Sequence, residues 1–352
     1  TLFPYTTLFR SIQVIHEYRG VIHVHSSFSD GRAGISKIMS EANRAGTDFL
    51  ILTDHNSLEA KLRGYEGWYG HCLLLVGEEI TPNTNADHYL ALDISTAIIP
   101  SDDPSANIDA VRRQGGIGII AHPTGGAIVK GEYFEYPWTD WDAGPFDGIE
   151  VWNHAYDITG RPKNIFQLLF NLLFPRAAKS GPIQSVLDTW DLYSLRQSRR
   201  ILGVGGADAH GWPGSYRADF GTVCTYILTE EPFSNDAACD RALVYDALRA
   251  GRCYLGADKV AKASGFRCEV ACGRDTVQMG GVVRLSRGAC LRVCAPSPGL
   301  IRLIHNGDVI LARFGAELQA ILSCPGVYRV EVQRRVCGRY VPWIYGNHFS
   351  LV

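Results

Sequence analysis

The chain has 352 residues, with 34 Lys and Arg against 36 Asp and Glu. So even a balance excludes an electrostatic footprint for nucleic-acid backbones or anionic membranes. A hydrophobic fraction of 46% suffices for the core of one large domain and a smaller one.

The first residues, "TLFPYTTLFRS", back-translate in frame to a common sequencing adapter. Residues 1–11 are therefore expected to be non-native and are set aside, with the natural start, and any targeting segment, expected upstream. From residue 20 to about 256, short apolar runs alternate with helix-like segments, the pattern of a parallel sheet covered by helices. The strand candidates are "VIHVH" (21–25), "DFLILTDH" (48–55), "CLLLVGEE" (72–79), "GIGIIAHP" (116–123), "DGIEVWNH" (147–154) and "RILGVGGADAH" (200–210). They are nearly continuous in Val, Ile and Leu, as strands buried on both faces are. Helices are predicted over 34–46, 103–114, 164–174, 183–198 and 235–251, with Gly46 and Gly251 at left-handed C-terminal caps. The longest apolar runs, such as "IFQLLFNLLF", are shorter than the roughly 20 residues of a membrane span. A cytoplasmic location is expected.

After residue 265 the texture changes to short alternating runs parted by Gly, Pro and Asn, and "HNGD" (305–308) reads as a tight hairpin turn. This predicts a small β-sandwich over 261–352, following a barrel over 12–260. Six of the ten cysteines fall in this last part. Cys268/Cys272 and Cys290/Cys294 each share one face of a strand; the spacing allows a disulfide or metal staple, and small core hydrophobes are the expected reading.

Each strand candidate of the first part ends on a donor: His25, Asp54 and His55, Glu78 and Glu79, His122, Asn153 and His154, Asp208 and His210. In a closed, TIM-like α/β barrel, strand ends converge on one opening. His23 and His25 are predicted to share a strand side through the period of two. His88 opens its run "HYLALDI" instead of ending it. Only eight residues part it from Glu79, too few for a parallel crossover, so a hairpin is expected to return His88 beside Glu79. Nitrogen and oxygen donors without thiolate suit Zn, Mn or Fe. "VGGADAH" lacks the GxGxxG spacing of a dinucleotide fold, and no organic cofactor is expected.

The ordered set HxHxxxxD, TDH, GEE, a downstream His, AHP and GxDxH resembles the PHP (polymerase and histidinol phosphatase) superfamily, over about residues 20–256. The continuation through "WDLYSL", "VGGADAH" and a β-rich tail is similar to the CehA/McbA-like group with a C-terminal sandwich. The resemblance implies an α/β fold, a distorted (β/α)7 barrel followed by an all-β domain, and a trinuclear site of divalent transition metals, zinc and manganese among them. One metal would be held by His23, His25, Glu79 and Asp208; a second would share Glu79 and use His88 and His122; a third would take Asp30, His55 and His210. It implies a metal-dependent hydrolase, a phosphoesterase or phosphatase acting through a metal-bridging hydroxide on small phosphoesters or nucleotides. An ester or carbamate hydrolase on the same site, and a non-catalytic binding module, are the alternatives.

Two further residues are candidates for catalysis. Asp54 orients His55 or caps the next helix, and His154 binds substrate or protonates a leaving group. Arg32, Lys130, Arg161 and Lys163 flank rim loops, where solvated surface charge is the expected role. His16, His71, His305 and His348 are read as structural. The aromatic, glycine-rich stretch 124–144 is expected to loop over the site, and helix 164–174, apolar nearly all round, is expected to be covered on more than one side.

Overall fold

The computed structural model describes residues 15–129, 132–173, 181–196, 200–212, 214–273, 275–284 and 289–352; the adapter-like segment 1–11 and Lys130 lie outside them. Seven strands close into a ring: β1 (His16–Val24), β2 (Phe49–His55), β3 (Cys72–Ile80), β4 (Tyr89–Leu92), β5 (Ile117–Ile120), β6 (Gly148–Asn153) and β7 (Leu202–Ala209). Pairs β1–β2, β2–β3, β5–β6, β6–β7 and β7–β1 are parallel. β4 runs antiparallel to both β3 and β5. The eight-residue connection before it is too short for a crossover helix, so β4 enters the ring as a hairpin return.

Alternate strand residues face two packing layers. Phe49, Ile51, Leu73, Leu75, Leu90, Leu92, Ile117, Ile119, Leu202 and Val204 pack together with Val244 and Leu248 of the helix Ala237–Arg249. Leu50, Leu52, Leu74 and Val76 pack instead against Ile35, Ile38, Met39 and Ala42 of the helix Ile35–Ala45. That helix ends at Gly46, whose φ of 68° is the left-handed cap and whose N–H reaches the carbonyls of Ala42 and Asn43.

The helix Ile165–Leu173 departs from expectation. Ile165, Phe166, Leu169, Phe170 and Leu173 are exposed, and Leu168 is buried. Within the stretch 124–144 expected to loop over the site, Gly126–Val129 and Glu132–Glu135 pair as a two-stranded antiparallel hairpin.

Beyond the ring, Val223–Thr229 pairs antiparallel with β1 and with Cys253–Ala257, which pairs in turn with Arg339–Gly346. The strands Arg267–Cys272, Cys290–His305, Asp308–Ile321, Gly326–Val336 and Arg339–Gly346 are joined antiparallel. The barrel and the C-terminal strands thus share one hydrogen-bonded network. The "HNGD" turn has Asn306 and Gly307 at φ of 52° and 95° between the paired residues His305 and Asp308, the two left-handed positions of a two-residue hairpin. Arg329 fastens these strands to the helix Gln184–Arg196: its Nε and Nη2 donate to Asp191 at 2.6 and 2.8 Å, and all three groups of Arg329, Asp191 and His348 are buried. Of the two cysteine pairs singled out by spacing, Cys268 is buried, Cys272 and Cys290 half-buried, and Cys294 exposed.

Candidate metal centre

The nine donor residues arrive at one end of the ring. His23, Asp208 and Glu79 lie near the ends of β1, β7 and β3, His55 ends β2, His88 precedes β4, His122 follows β5, and His25, Asp30 and His210 lie in the segments after β1 and β7. The convergence is not simple alternation. Val21 packs with the helices and Ile22 with the inner layer, so an unbroken strand would turn His23 outward. His23 instead has φ of 67°, and between the pairs Ile22–Gly206 and Val24–Ala209 β7 advances one residue more than β1. Asp208 and His122 also have positive φ, 49° and 23°. Left-handed backbone at non-glycine residues costs on the order of 1–3 kcal/mol each, and such strain gathers at functional sites.

Glu79 is the hub. Its Oε2 lies 3.2 Å from His23 Nε2, 3.3 Å from His25 Nε2 and 3.2 Å from His55 Nδ1. Its Oε1 lies 2.9 Å from His88 Nδ1 and 3.0 Å from His122 Nε2. Asp208 Oδ1 is 3.4 Å from both His23 Nε2 and His25 Nε2 and 3.6 Å from His210 Nδ1. At the rim, Asp30 Oδ2 is 3.2 Å from His210 Nε2 and 3.6 Å from His55 Nε2, and Asp30 Oδ1 is 3.6 Å from His25 Nδ1. Four sets have donor atoms within 4.8 Å of one another: His23, Glu79 and His122; His23, His25 and Asp208; His55, Glu79 and His88; and His25, Asp30, His55 and His210. They contain all nine residues. The floor around His23, His25 and Glu79 is sealed from solvent, whereas the Asp30 side chain is 55% exposed, so the cluster opens on one side.

These donors fit divalent cations. His23 Nε2 and both ring nitrogens of His25 are buried without a hydrogen-bond partner among the described residues, as are His88 Nε2 and His122 Nδ1. An unsatisfied buried polar atom costs about 1–3 kcal/mol, and these atoms crowd around carboxylates instead of being dispersed. The titration behaviour agrees. Burial would raise Glu79, but His23, His55 and His88 hold it well below the usual carboxylate range. Asp208 is likewise drawn down against burial by His23 and His25. Burial would lower His23, yet Glu150, Asp208 and Glu79 raise it well above the ordinary imidazole value. His25, where burial wins, is pushed down to about 4. His210, held by Asp30 against burial, rises to about 9. The carboxylates demand positive charge at the centre of the cluster, the demand that a cation meets.

Asp54 does not orient His55. Among the described residues its carboxylate accepts from the backbone N–H of Ser26 at 2.7 Å, the hydroxyl of Ser26 at 2.7 Å and that of Ser29 at 2.6 Å. It pins the loop that carries Asp30, and His55 is oriented by Thr81, whose hydroxyl is 2.7 Å from Nδ1. His154 is buried on the wall of a cavity of about 370 Å³ beside the cluster, together with Asp30, Asp208, His210 and Asp219. Burial pushes His154 down to about 3, with Lys259 acting in the same direction. Burial thus favours the neutral imidazole over the imidazolium at this position. Its Nε2 is 3.9 Å from Asp219, a carboxyl that burial raises to about 7. The rest of the cavity is largely apolar, with Ala127, Ile128, Ile158, Leu168 and Trp212. Of the basic rim residues, Arg32 lines it, 5.5 Å over the Trp212 ring, while Arg161 pairs with Asp157 and Lys163 with Glu135.

Two residues around the donors escaped the sequence reading. Tyr136 stacks on His88 with ring centroids 5.5 Å apart. Glu150, on β6, is buried and 2.9 Å from His23 Nδ1. Its signal was present: a carboxylate inside the otherwise apolar run "GIEVW" needs a partner.

No protein-family model and no curated protein matches the chain. Among solved structures it is similar to a two-domain protein containing a predicted PHP-like metal-dependent phosphoesterase from Bacteroides vulgatus ATCC 8482, at 16% identity and a TM-score of 0.43 over 95% of each chain. It is also similar to PsfC from Pseudomonas syringae PB-5123, at 15% identity and a TM-score of 0.40 over 64% of this chain and 87% of that one. A third is an amidohydrolase from Chromobacterium violaceum with bound sulfate and no metal, at 15% identity and a TM-score of 0.31 over 54% of this chain and 87% of that one.

Proposed function

We propose that the protein is a metal-dependent hydrolase of small phosphoesters, with three divalent cations held as the sequence motifs imply: by His23, His25, Glu79 and Asp208; by Glu79, His88 and His122; and by Asp30, His55 and His210. The observation that carries this reading is the division of Glu79, one oxygen toward His23, His25 and His55 and the other toward His88 and His122. A carboxylate so placed can bridge two cations. His25 lies against the rim set as well as the floor set, so the third position adjoins the other two. The fold reads in the same terms, as a (β/α)7 barrel distorted by the antiparallel β4, carrying a C-terminal β-sandwich from about residue 261.

When bound, such cations bring a water toward a neutral pKa and offset the charge that builds on the attacked and departing oxygens. The protein's own groups do the rest. Asp54 holds the Ser26–Ser29 loop and so sets Asp30. The cavity wall formed by Ile128, Ile158, Leu168 and Trp212 excludes water and receives the leaving group. His154, neutral in its buried position, orients substrate by hydrogen bonding. Asp219 is the wall group that can hold a proton near neutrality.

A carboxyl ester or carbamate is the second reading. It is favoured by the lining of the cavity, where Arg32 is the one Lys or Arg among the described residues. Metal analysis of gently purified protein, followed by turnover of an aryl phosphodiester, an aryl phosphomonoester and an aryl carboxyl ester with and without chelator, tests both. Chelator-sensitive turnover of a phosphoester supports the first reading and of the carboxyl ester alone the second. Less than one equivalent of transition metal, with no turnover, overturns both and leaves a non-catalytic module.

A further inference from the structure

We infer that Glu150 is a positioning residue that fixes the tautomer of His23 and ties the ends of β1, β5 and β6 to β7, so that the metal-facing geometry exists before any ion arrives. The inference rests on the metal-centre reading above and adds a residue that the donor motifs do not contain.

Glu150 is 1% exposed, yet both of its oxygens are engaged. Oε1 is 2.9 Å from His23 Nδ1. A carboxylate oxygen that accepts from Nδ1 keeps a hydrogen on that nitrogen, so when the ring is neutral, as a metal ligand must be, the lone pair lies on Nε2. Nε2 is the atom that faces Glu79 and Asp208, at 3.2 and 3.4 Å. Oε2 accepts from the backbone N–H of His122 at 2.7 Å and from Asn153 Nδ2 at 2.9 Å. Asn153 Nδ2 also reaches Asp208 Oδ2 at 3.3 Å. One side chain thereby restrains His23, His122 and Asp208, the three candidate ligands with left-handed backbone.

The neighbouring strand is cut to fit it. A Cβ on Gly206 would stand 1.6 Å from Glu150 Oε1 and 3.2 Å from the His23 Cβ, so a glycine in "VGGAD" leaves the space that the carboxylate fills. Gly206 itself is not required by a left-handed φ. Opposite it, β6 advances two residues, Glu150 to Trp152, while β7 advances one, Val204 to Gly205. That bulge turns Glu150 into the site, as bulges beside active sites do.

The test uses the metal-free full chain with zinc as the probe, in competition with a chromogenic chelator. Glu150→Gln keeps the shape of the side chain but sets an N–H against a donor. It is expected to weaken the tightest zinc site by about 10–100-fold, the usual effect of losing a ligand's outer partner, while the melting temperature of the metal-free protein changes little. Gly206→Ala should weaken the same site by displacing Glu150, and should add little further loss in a Glu150→Ala background. Independently of any variant, long-range 15N–1H spectra of the metal-free parent should show the Glu150-bound histidine protonated at Nδ1. Unchanged zinc affinity in Glu150→Gln, full additivity of the Gly206 and Glu150 changes, or a His23 ring protonated only at Nε2 would each overturn the inference. A parent that takes up no zinc overturns the metal-centre reading and this inference with it, whereas a parent that binds zinc as tightly as Glu150→Gln overturns the inference alone.

Discussion

His88 lies 2.9 Å from Glu79 although it stands just before its strand, where the other donors stand at or beyond the ends of theirs. The antiparallel pairing of Glu79 with Leu90 and Ile80 with Tyr89 brings the start of β4 to the mouth of the ring. His88 and His122 face the same oxygen of Glu79, and from this follows the first prediction. Glu79→Gln, which removes charge from both halves of the cluster, is expected to abolish turnover and lower bound metal by more than one equivalent. His88→Ala is expected to lower it by about one. Metal content per chain by plasma emission spectrometry, with folding verified by circular dichroism, separates them; equal losses would contradict the bridging role.

Asp54 accepts three hydrogen bonds from the Ser26–Ser29 loop. Asp54→Ala leaves the buried Ser26 N–H and hydroxyl without their acceptor, at roughly 2–4 kcal/mol of stability, and releases the segment that carries Asp30. The expected outcome is a lower midpoint in urea together with loss of the rim metal. Asp54→Asn, which keeps an oxygen, should lose less of both.

The cavity beside the cluster is walled by Ala127 of the hairpin Gly126–Val129. Ala127→Phe is expected to fill part of that volume, raising KM for bulky aryl substrates at least tenfold while leaving metal content and the melting temperature near those of the parent. Steady-state kinetics on a large and a small ester of one acid measure it. A uniform fall of kcat for both would place the leaving group elsewhere.

Asp191 and Arg329 join the helix Gln184–Arg196 to the C-terminal strands through two buried hydrogen bonds. Removing one partner of such a pair costs about 3–5 kcal/mol, so Arg329→Leu should be strongly destabilised in urea titration. The acid dependence has a definite sign. Burial would raise Asp191, but His348 and Arg329 hold it down to about 2 from an ordinary 3.8. With the folded value below the unfolded one, the carboxylate's contribution is fully present above about pH 4 and is lost as the pH falls through 2. That contribution is on the order of 2 kcal/mol, and Asp191→Asn is expected to flatten the stability profile over this window.

The chemistry of the site was legible residue by residue. His and Asp or Glu at the ends of apolar runs mark strand termini whatever the ring closure, and the eight-residue spacing before His88 forces a hairpin. The "HNGD" turn was legible for the same local reason, since Asn and Gly alone tolerate its backbone cheaply. The helix over 165–173 was legible as a helix, but not its exposure, because a sequence pattern records what could be buried and not which neighbour arrives to bury it. Asp54 was visible as a buried acid beside a ligand, yet its partners lie 25 and 28 positions away, beyond the reach of spacing arguments.

By itself, the sequence determined the donor types, their order along the chain and the strands that deliver them, because periodicity and turn chemistry are local properties. Only the tertiary structure decided which way the donors face. The inward turn of His23 comes from a register shift between β1 and β7, and the lodging of Glu150 from a bulge against β7 with room left at Gly206. Both depend on pairing between strands more than fifty residues apart, where no local spacing rule acts and the closure of the ring sets the geometry.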